Sequence, residues 1–565
     1  MQGKDIVKTI EEVLLTAAKK YFQENLPEEK FPDNTYASLQ LPRDSRHGDL
    51  TSNIAMRLSK AAKCSPAALG GAVISIFKEE IGRLGFSVFI GDVELKGGFI
   101  NFRFSDVFYR ELLETIHEQK ENYGRSDDGR MEHVNLEFVS ANPTGPLTIA
   151  HGRQAAIGGA LSRILRFTGC RVTNEYYLND YGRQINLLGK SVEIRYRNLF
   201  GNDEPMPEDG YMGGYINDIA VEIQKQKGDR LLKQGEDTSL FFREYAVEYM
   251  MKLIRKDLHD FGVSFDVWTS QAGIEQRDEV PETLRLIENA GYIYEEEGAK
   301  WFASTRFGDD KDRVVVKSDG AYTYLAPDIA YHNDKYRRGF TRLIDLLGPD
   351  HHGYIKRMKA AVQALGHDAG TLNILIVQLV TLMRGGETVS MSTRKGEFVS
   401  LRELLDELGK DVTRFFFLSR RLDSHLDFDI DLAKKESSDN PVYYIQYAHA
   451  RICSIKKHSV EKGFDWPLRE IPDLSLLKEP GEKQLMRKLA EFPFAVKSSA
   501  EALEPNRLIV YLNELARGFH SFYTEYKVVS EEEGISRARM YLVESVRYVL
   551  MNGLNLLDIT LPERM

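Results

Sequence analysis

The residues at positions 140–153, Ser-Ala-Asn-Pro-Thr-Gly-Pro-Leu-Thr-Ile-Ala-His-Gly-Arg, include several types that bind phosphate. Two prolines and a glycine restrict the backbone, and apolar residues at helical spacing follow. Such a loop leads into a helix N-terminus, where backbone N–H groups and the helix dipole attract an anion. His151 and Arg153 add side-chain donors. From these residues alone, a phosphate site and an ordinary tight crossover loop both remain open.

The segments on either side of this loop predict a βαβ unit. Residues 133–139 alternate polar and apolar, the helical pattern runs to about Phe167, and residues 171–177 predict a second strand. This order puts the loop at the carboxyl end of a parallel sheet, where open α/β folds bind nucleotides. The acidic, helix-rich segment at about 194–299 predicts a helical insertion that splits the sheet. Further strands are expected at 313–317, 343–347 and 373–378.

The length of 565 residues predicts several domains. An N-terminal α+β module is expected over residues 1–110, because a helical pattern at 6–22 precedes short extended segments. Those segments lie at 87–90, 93–95 and 99–104, with Gly91 and the pair Gly97-Gly98 as turns. The catalytic domain is expected at 125–425. From about residue 442 the pattern is helical, which predicts an all-α domain over 435–565.

Composition excludes some classes of protein and leaves the partner open. An apolar content of 42%, with no uncharged apolar run of about twenty residues, predicts a protein without a membrane span, and the N-terminus lacks a signal-peptide pattern, which favours the cytoplasm. The three cysteines are far apart, so neither a disulfide framework nor a thiolate zinc site is expected. The formal charge of -10 argues only weakly against a polyanion partner, because local basic patches decide nucleic-acid affinity.

The loop resembles the His-Ile-Gly-His signature of class I aminoacyl-tRNA synthetases, in the Ala-Asn-Pro-Thr-Gly-Pro form of bacterial arginyl-tRNA synthetases. The resemblance implies a Rossmann-like α/β catalytic domain with a split parallel sheet. In this chain Thr148 and Ala150 replace the first histidine and the glycine, and only His151 remains. Thr148 can donate a hydrogen bond but cannot carry positive charge. The residues that the resemblance assigns to ATP here are Asn142, Pro143, Thr144, Gly145, His151 and Gly152.

A second segment, Ser-Met-Ser-Thr-Arg at 390–394, resembles the family's Lys-Met-Ser-Lys-Ser signature, whose lysines hold the departing pyrophosphate. Both lysines are missing. Arg394 and Lys395 keep positive charge nearby, and the resemblance implies that they serve catalysis in their place, with Met391 and Ser392 at ATP. As a bare pattern, the segment is more typical of a solvated loop.

An arginine pocket needs carboxylates that bind a guanidinium and oppose its charge. By resemblance, the arginine-binding positions are Glu137, Asn142, Tyr324 and Asp328. Without the resemblance, Glu137 would be read as an outward strand residue and Asp328 as a helix cap.

The turn after the strand at 343–347 resembles the family's adenosine-binding turn. Its candidates are Asp350, His351 and His352. A His-His pair often indicates a metal, but no further ligands stand at suitable spacing, so we expect no bound zinc. The resemblance implies Mg²⁺ with ATP instead.

The tRNA contacts that the resemblance implies lie in the outer modules. Phe99 and Asn101 are the candidates for the tRNA elbow. Tyr444, Tyr447, Arg451 and the C-terminal Met565 are the candidates for the anticodon. A tyrosine stripe at helical spacing, or a phenylalanine in a hairpin, is also typical of a packed core.

The resemblance spans nearly the whole chain in the family's order. It implies a monomeric ligase that joins L-arginine to tRNA(Arg) with ATP, through an arginyl-adenylate. The altered signatures leave an alternative open: a tRNA-binding paralogue of the family without ligase activity. A synthetase for another amino acid would need a differently charged pocket.

Overall fold

The computed structural model describes residues 6–33, 37, 39–42, 44–232, 238–351, 353–389 and 399–565, and its first elements form an α+β module. In chain order these are α1 (Ile6–Asn25), β1 (Leu39–Gln40), β2 (Leu50–Ser52), α2 (Ile54–Leu58), α3 (Pro66–Arg83), β3 (Ile90–Lys96), β4 (Phe99–Phe104) and α4 (Asp106–Gln119). The strands pair antiparallel in the order β1-β2-β4-β3, and α1 packs on α3. The expected α+β character is confirmed.

One local prediction in this module is wrong. Residues 87–89 form a 3-10 helix, and β3 is one strand that runs through Gly91. Gly91 lies where the register with β4 shifts, so it marks an irregularity inside a strand and does not mark a turn. Gly97 and Gly98 do form the β3–β4 turn, with φ values of 60° and 84° that favour glycine.

A mixed α/β region follows. Its elements are β5 (His133–Glu137), α5 (Ile149–Phe167), β6 (Arg171–Leu178), α6 (Arg183–Asn198), α7 (Gly214–Lys227), α8 (Ser239–Asp260), β7 (Val267–Ser270), α9 (Gln271–Gln276), α10 (Glu279–Asn289), β8 (Ile293–Glu296), β9 (Ala299–Phe302), β10 (Arg313–Val316), α11 (Leu325–Arg337), β11 (Arg342–Leu347), α12 (Tyr354–Ala364), β12 (Leu372–Ile376), β13 (Val380–Arg384), β14 (Glu387–Thr388), α13 (Leu401–Leu418), β15 (Leu426–Asp429) and α14 (Ile430–Ala433). A five-stranded parallel sheet runs in the order β12-β11-β5-β6-β7. The predicted βαβ unit is β5-α5-β6.

The direction in which the chain moves across the sheet reverses between β5 and β11. From β5 the chain crosses through α5 to β6, towards one edge of the sheet, whereas from β11 it crosses through α12 to β12, at the opposite edge. The boundary between the neighbouring strands β5 and β11 is therefore the topological switch point. Open α/β sheets bind ligands there, at the carboxyl ends of the strands.

The helices α6, α7 and α8 form the insertion and share a core of their own. The structure differs from the expected helical segment at about 194–299, because Val267–Ser270 is an edge strand of the central sheet. Four residues between helices carry too little alternation to be recognised as a strand. The strand expected at 313–317 does form as β10, but it pairs with β9 in a separate antiparallel sheet, β10-β9-β8.

Five helices complete the chain: α15 (Pro441–Glu461), α16 (Pro480–Ala490), α17 (Phe492–Ala502), α18 (Asn506–Glu525) and α19 (Glu533–Leu557). Helix α19 packs on α15 and α18 and also on α4 and α5. At the contact with α4, the rings of His117 and Tyr541 stack 3.5 Å apart. The predicted α-helical C-terminal region is confirmed, and it rests against both preceding parts.

Candidate active site

The loop between β5 and α5 begins with a strained backbone. Val139 and Ser140 have φ values of 70° and 38°, which cost a side-chain-bearing residue about 1–3 kcal/mol each. The neighbouring strand β6 stabilises this conformation, because the Tyr176 hydroxyl donates to the Ala141 carbonyl at 2.8 Å and the Tyr177 N–H donates to Ser140 Oγ at 3.0 Å. Strain that the surroundings impose in this way is typical of functional sites.

The histidine of the loop is held in one tautomer. The Thr148 N–H donates to His151 Nδ1 at 3.2 Å, and Thr148 Oγ1 lies 3.2 Å from the same nitrogen. Because Nδ1 accepts from a backbone N–H, the ring proton is on Nε2. Desolvation lowers the pKa of His151 to about 4, so the ring is neutral at pH 7. His151 can therefore donate a hydrogen bond to an anion without bringing charge.

Two residues of the loop face the protein interior. Arg153 is fully buried and donates to the Gln378 and Arg421 carbonyls at 2.8 Å each. The expectation that Arg153 donates to an anion is therefore wrong, because its guanidinium is used to join α5 to the β12–β13 connection. Gly152 is buried as well, and a Cβ there would lie 2.8 Å from Leu401 Cδ1. Gly152 thus permits close packing of α5 against α13.

Ser400 and Leu401, which follow the second signature segment in the chain, lie beside the first signature. Thr148 forms an antiparallel bridge with Ser400, and the Leu401 N–H donates to the Leu147 carbonyl at 2.8 Å. Met391, Ser392, Arg394 and Lys395 lie outside the described residues, as does His352. The chain therefore returns to the N-terminus of α5 directly after that segment.

A row of three acidic side chains crosses the central sheet. Glu137 on β5 is in register with Glu175 on β6 and with Asp345 on β11, so all three lie on one face. Helix α11 covers this face with Lys335, whose Nζ lies 2.6 Å from Glu137 Oε2 and 2.8 Å from Asp345 Oδ1. Arg338 binds both carboxylate oxygens of Glu175, at 2.9 and 3.0 Å.

The charges in this row stabilise one another. Burial alone would lower the pKa of Lys335, but the Asp345 and Glu137 carboxylates raise it above its ordinary value. Burial likewise opposes ionisation of Asp345, and Lys335 and His332 nevertheless hold the pKa of that carboxyl well below its usual range. The fully buried Lys335 is therefore charged, and it joins the side chains of Glu137 and Asp345.

The arginine-pocket candidates are only partly brought together. Desolvation raises the pKa of Asp328 on α11 to about 6, and the charge of Glu137 acts in the same direction. His332 opposes this shift and lowers the pKa. Asn142 donates from its amide to Gln184 Oε1 at 2.8 Å. Tyr324 is 90% exposed at the N-terminus of α11. The structure therefore groups the two carboxylates and leaves the Tyr324 ring in solvent.

The adenosine-turn candidates follow the carboxyl end of β11. Asp350 and His351 are exposed in a 3-10 turn over residues 349–351. The His351 ring meets Tyr354 edge-on at 5.9 Å. Both residues therefore stand at the rim of the switch-point crevice.

The two elbow candidates on β4 differ in accessibility. Phe99 is 39% exposed at the β3–β4 turn. Asn101 is 3% exposed, and its side-chain oxygen accepts a hydrogen bond from Thr51 Oγ1 at 2.8 Å. Only Phe99 thus offers its side chain to a partner.

The anticodon candidates form a mixed aromatic and basic surface. The Arg451 guanidinium lies 4.5 Å from the Tyr447 ring and 4.7 Å from the Tyr523 ring, and it donates to the Tyr447 hydroxyl at 2.8 Å. Tyr444 packs against His520 at 4.6 Å. Tyr447, Tyr523 and Met565 are exposed, so this stripe is a surface.

Sequence reasoning missed the residues that support the candidates from other elements. These are Lys335, His332, Asp345, Glu175, Gln184 and Tyr215. One signal was available for the acidic row, because each of three apolar strands carries one acidic residue near its carboxyl end. No local pattern identifies Lys335, which is 198 residues from Glu137 in the chain.

Within the described part of the chain, no group of three or more His, Cys, Asp or Glu side chains is placed to hold a metal ion. No described helix is long and apolar enough to cross a membrane. Cys64, Cys170 and Cys453 are free thiols.

Three family sequence profiles match consecutive parts of the chain. The arginyl tRNA synthetase N-terminal domain matches residues 5–104, the catalytic domain of class I (R) tRNA synthetases matches 113–416, and the DALR anticodon binding domain matches 445–565.

Whole proteins and solved structures agree with these profiles. An arginine–tRNA ligase of Desulforamulus reducens is 46% identical, with 93% of each chain covered, and one of Bacillus subtilis is 44% identical over 100% of this chain and 99% of its own. The structure resembles an arginyl-tRNA synthetase from Campylobacter jejuni with a TM-score of 0.74 at 35% identity, covering 82% of this chain and 100% of that one. The Thermus thermophilus enzyme shares the fold, with a TM-score of 0.74 at 22% identity over 99% and 100%.

Proposed function

We propose, from the premise that the chain belongs to the arginyl-tRNA synthetase family, that ATP and L-arginine react in the crevice between β5 and β11. The activity is that of an arginine–tRNA ligase. The arginine carboxylate attacks the α-phosphorus of ATP and pyrophosphate leaves. A ribose hydroxyl at the tRNA end then attacks the arginyl carbonyl and AMP leaves. The relatives named above are ligases, so nothing supports the paralogue without ligase activity.

The observation that carries this placement is the arrangement of charge along one short segment. Glu137 ends β5, His151 opens α5, and the strained loop between them lies at the switch point. Glu137 and Asp328 provide negative charge for a guanidinium, whereas the N-terminus of α5 provides donors for phosphate. The two substrates would thus be held at opposite ends of the segment between Glu137 and His151.

The proposed phosphate contacts use this chain's altered signatures. His151 donates its Nε2 proton to a phosphate oxygen, and Thr148 keeps the ring in that tautomer. Asn142, Pro143, Thr144 and Gly145 contribute the backbone and amide groups of the loop around ATP. The backbone of Gly152 is already used, because its N–H donates to the Thr148 carbonyl at 3.0 Å. We therefore assign Gly152 a packing role beside the site.

This chain lacks both lysines of the second signature, and we assign the positive charge that they carry in the family to the segment before Ser400. We propose that Arg394 and Lys395 reach the departing pyrophosphate, with Met391 and Ser392 at the nucleotide. Support comes from the bridge between Ser400 and Thr148, because it brings the chain to the N-terminus of α5 a few residues after Lys395. Mg²⁺ enters with the ATP substrate, bound to its phosphates.

The remaining contacts are proposed for the turn after β11, for the start of α11 and for the two outer modules. Asp350, His351 and His352 contact the adenosine, and Tyr324 closes over the arginine. The outer modules, proposed at residues 1–110 and 435–565, bind tRNA(Arg) through Phe99, Tyr444, Tyr447, Arg451 and Met565. Asn101 supports the strand behind Phe99 through Thr51. We further propose a monomer in the cytoplasm, which light scattering would test through the mass of the free enzyme.

Substitution of the pocket carboxylate tests the placement. Glu137→Gln removes a charge-assisted bond of about 1.5–3 kcal/mol to arginine and also the ion pair with Lys335, so the folded state of the variant is checked first. In the folded variant the KM for arginine should rise about 10- to 150-fold with little change in the KM for ATP. Glu295→Gln, at an exposed glutamate on β8, is the control for the loss of one acidic charge. Equal effects of Glu137→Gln on both KM values would contradict the assignment.

Substitution of Arg394 and Lys395 tests whether they supply the positive charge of the two missing signature lysines. Arg394→Ala and Lys395→Ala, singly and together, should lower kcat for adenylate formation, because one positive group at the leaving phosphate is lost. Turnover that stays unchanged in all three variants would show that neither side chain supplies the charge.

A further inference from the structure

The insertion contacts the signature loop, which we define as residues 141–146, at two points. The Asn142 amide donates to Gln184 Oε1 on α6 at 2.8 Å. The Tyr215 hydroxyl on α7 donates to the Thr144 carbonyl, also at 2.8 Å. Between these points the Thr144 N–H donates to the Asn142 carbonyl at 2.8 Å, which closes the turn. Two different helices of the insertion therefore fix one turn of the loop.

The insertion has a packed core of its own, which fixes the positions of the residues that make these contacts. Its helices pack around a core of their own, formed by Leu188, Val192, Tyr196, Ile216, Ile219, Ala220, Ile223, Phe242, Ala246 and Met250. Tyr215 stands on the first turn of α7, one residue before Ile216 of that core. Burial raises the pKa of Tyr215 far above neutrality, so its hydroxyl remains a donor at every working pH.

The carbonyl that Tyr215 contacts determines the direction of a neighbouring donor. The Thr144 carbonyl and the Gly145 N–H belong to one planar peptide group, in which they point in opposite directions. Fixing the carbonyl therefore fixes the N–H. Among the residues that the structure describes, none accepts a hydrogen bond from the Gly145 N–H. Gly145 also leaves room for the hydroxyl, because a Cβ there would lie 3.2 Å from Tyr215 Oη.

We propose that Tyr215 is a positioning residue that aims the Gly145 N–H at an ATP phosphate. The inference rests on the proposed placement of ATP at the signature loop. The insertion then contributes directly to nucleotide binding, although none of its side chains needs to touch the nucleotide. A phosphate oxygen gains a preoriented backbone donor, and the cost of ordering the loop is met before ATP arrives.

The first experiment removes the hydroxyl alone. Tyr215→Phe should raise the KM for ATP in arginine-dependent ATP–pyrophosphate exchange about three- to tenfold, because one hydrogen bond is lost, while the KM for arginine stays within about twofold. Tyr196→Phe is the matched control. It deletes a tyrosine hydroxyl that donates to the Gly228 carbonyl at 2.6 Å inside the same insertion. A KM for ATP that is unchanged in Tyr215→Phe, or raised equally in both variants, overturns the proposal.

The second experiment approaches the contact from the loop. Gly145→Ala places a methyl group against Tyr215 Oη, so its effect on the KM for ATP should be larger with tyrosine at position 215 than with phenylalanine. Equal effects in the two backgrounds overturn the proposal. If Tyr215→Phe does not fold, Gly145→Ala alone decides: a raised KM for ATP at an unchanged KM for arginine supports the positioning role, and equal changes in both refute it.

A third variant separates this inference from the site assignment. His151→Ala removes the side-chain donor at the other end of the loop. If it lowers the rate of adenylate formation while Tyr215→Phe behaves as wild type, the ATP site stands and only the role of Tyr215 fails. If neither variant changes ATP kinetics, ATP does not bind at this loop.

Discussion

If Asp328 binds arginine as proposed, arginine binding should depend on pH. The Asp328 pKa of about 6 results from desolvation. A guanidinium needs the ionised carboxylate, and kcat/KM reports the ionisation of the free enzyme. At pH 7 about nine-tenths of Asp328 is ionised, whereas at pH 5 about one-eleventh is. The value of kcat/KM for arginine should therefore fall about tenfold between pH 7 and pH 5.

The assay is arginine-dependent ATP–pyrophosphate exchange with saturating tRNA at half-unit intervals of pH. The KM for ATP is the internal reference, because His151, with a pKa of about 4, stays mostly neutral over this range. Asp328→Asn should have a low kcat/KM for arginine and should lose the inflection near pH 6. Asp319→Asn, an exposed aspartate in the preceding turn, should keep it. A wild-type profile that is flat from pH 5 to pH 7, or an inflection that persists in Asp328→Asn, would refute the reasoning.

Three further predictions concern stability and tRNA binding. Lys335→Met leaves two buried carboxylates without their cation and should lower the free energy of unfolding, measured by chemical denaturation, by about 3–5 kcal/mol. Lys300→Met breaks an exposed ion pair and should lower it by at most about 1 kcal/mol. Similar losses in the two variants would contradict the buried network. Arg451→Ala should raise the KM for tRNA about fivefold without changing the KM for arginine, because the proposed anticodon surface loses a stacked cation worth about 0.5–1 kcal/mol. An unchanged KM for tRNA would place the anticodon elsewhere. Gly152→Ala should lower the unfolding midpoint, at a cost of about 1–3 kcal/mol, because its Cβ would meet Leu401; wild-type stability would show that α13 can move away.

The parts of the fold that were predictable depend on local patterns. The β5-α5-β6 unit follows from alternation and helical spacing, and its loop is recognised because prolines and a glycine leave it few conformations. Strand β7 was missed, since its four residues show no period, and β10 was assigned to the wrong sheet because pairing depends on distant strands.

The candidate site was predictable where function requires particular residue types and unpredictable where contacts are distant. The sequence names Glu137 and Asp328 as candidates, and in the structure desolvation raises the pKa of Asp328, while the charge of Glu137 raises it further as a smaller cause. The sequence does not name Lys335 or Tyr215, because each acts on a segment far away in the chain. Arg153 shows the opposite error: its residue type suits phosphate, but its position on α5 directs it to buried carbonyls.

The most direct test of the central claim is aminoacylation of total tRNA by the purified protein with ATP, Mg²⁺ and each amino acid in turn. We expect that arginine alone is attached, with AMP and pyrophosphate as the other products, and that His151→Ala slows the reaction about a hundredfold or more. Failure to form arginyl-tRNA, or equal attachment of another amino acid, would contradict the central claim.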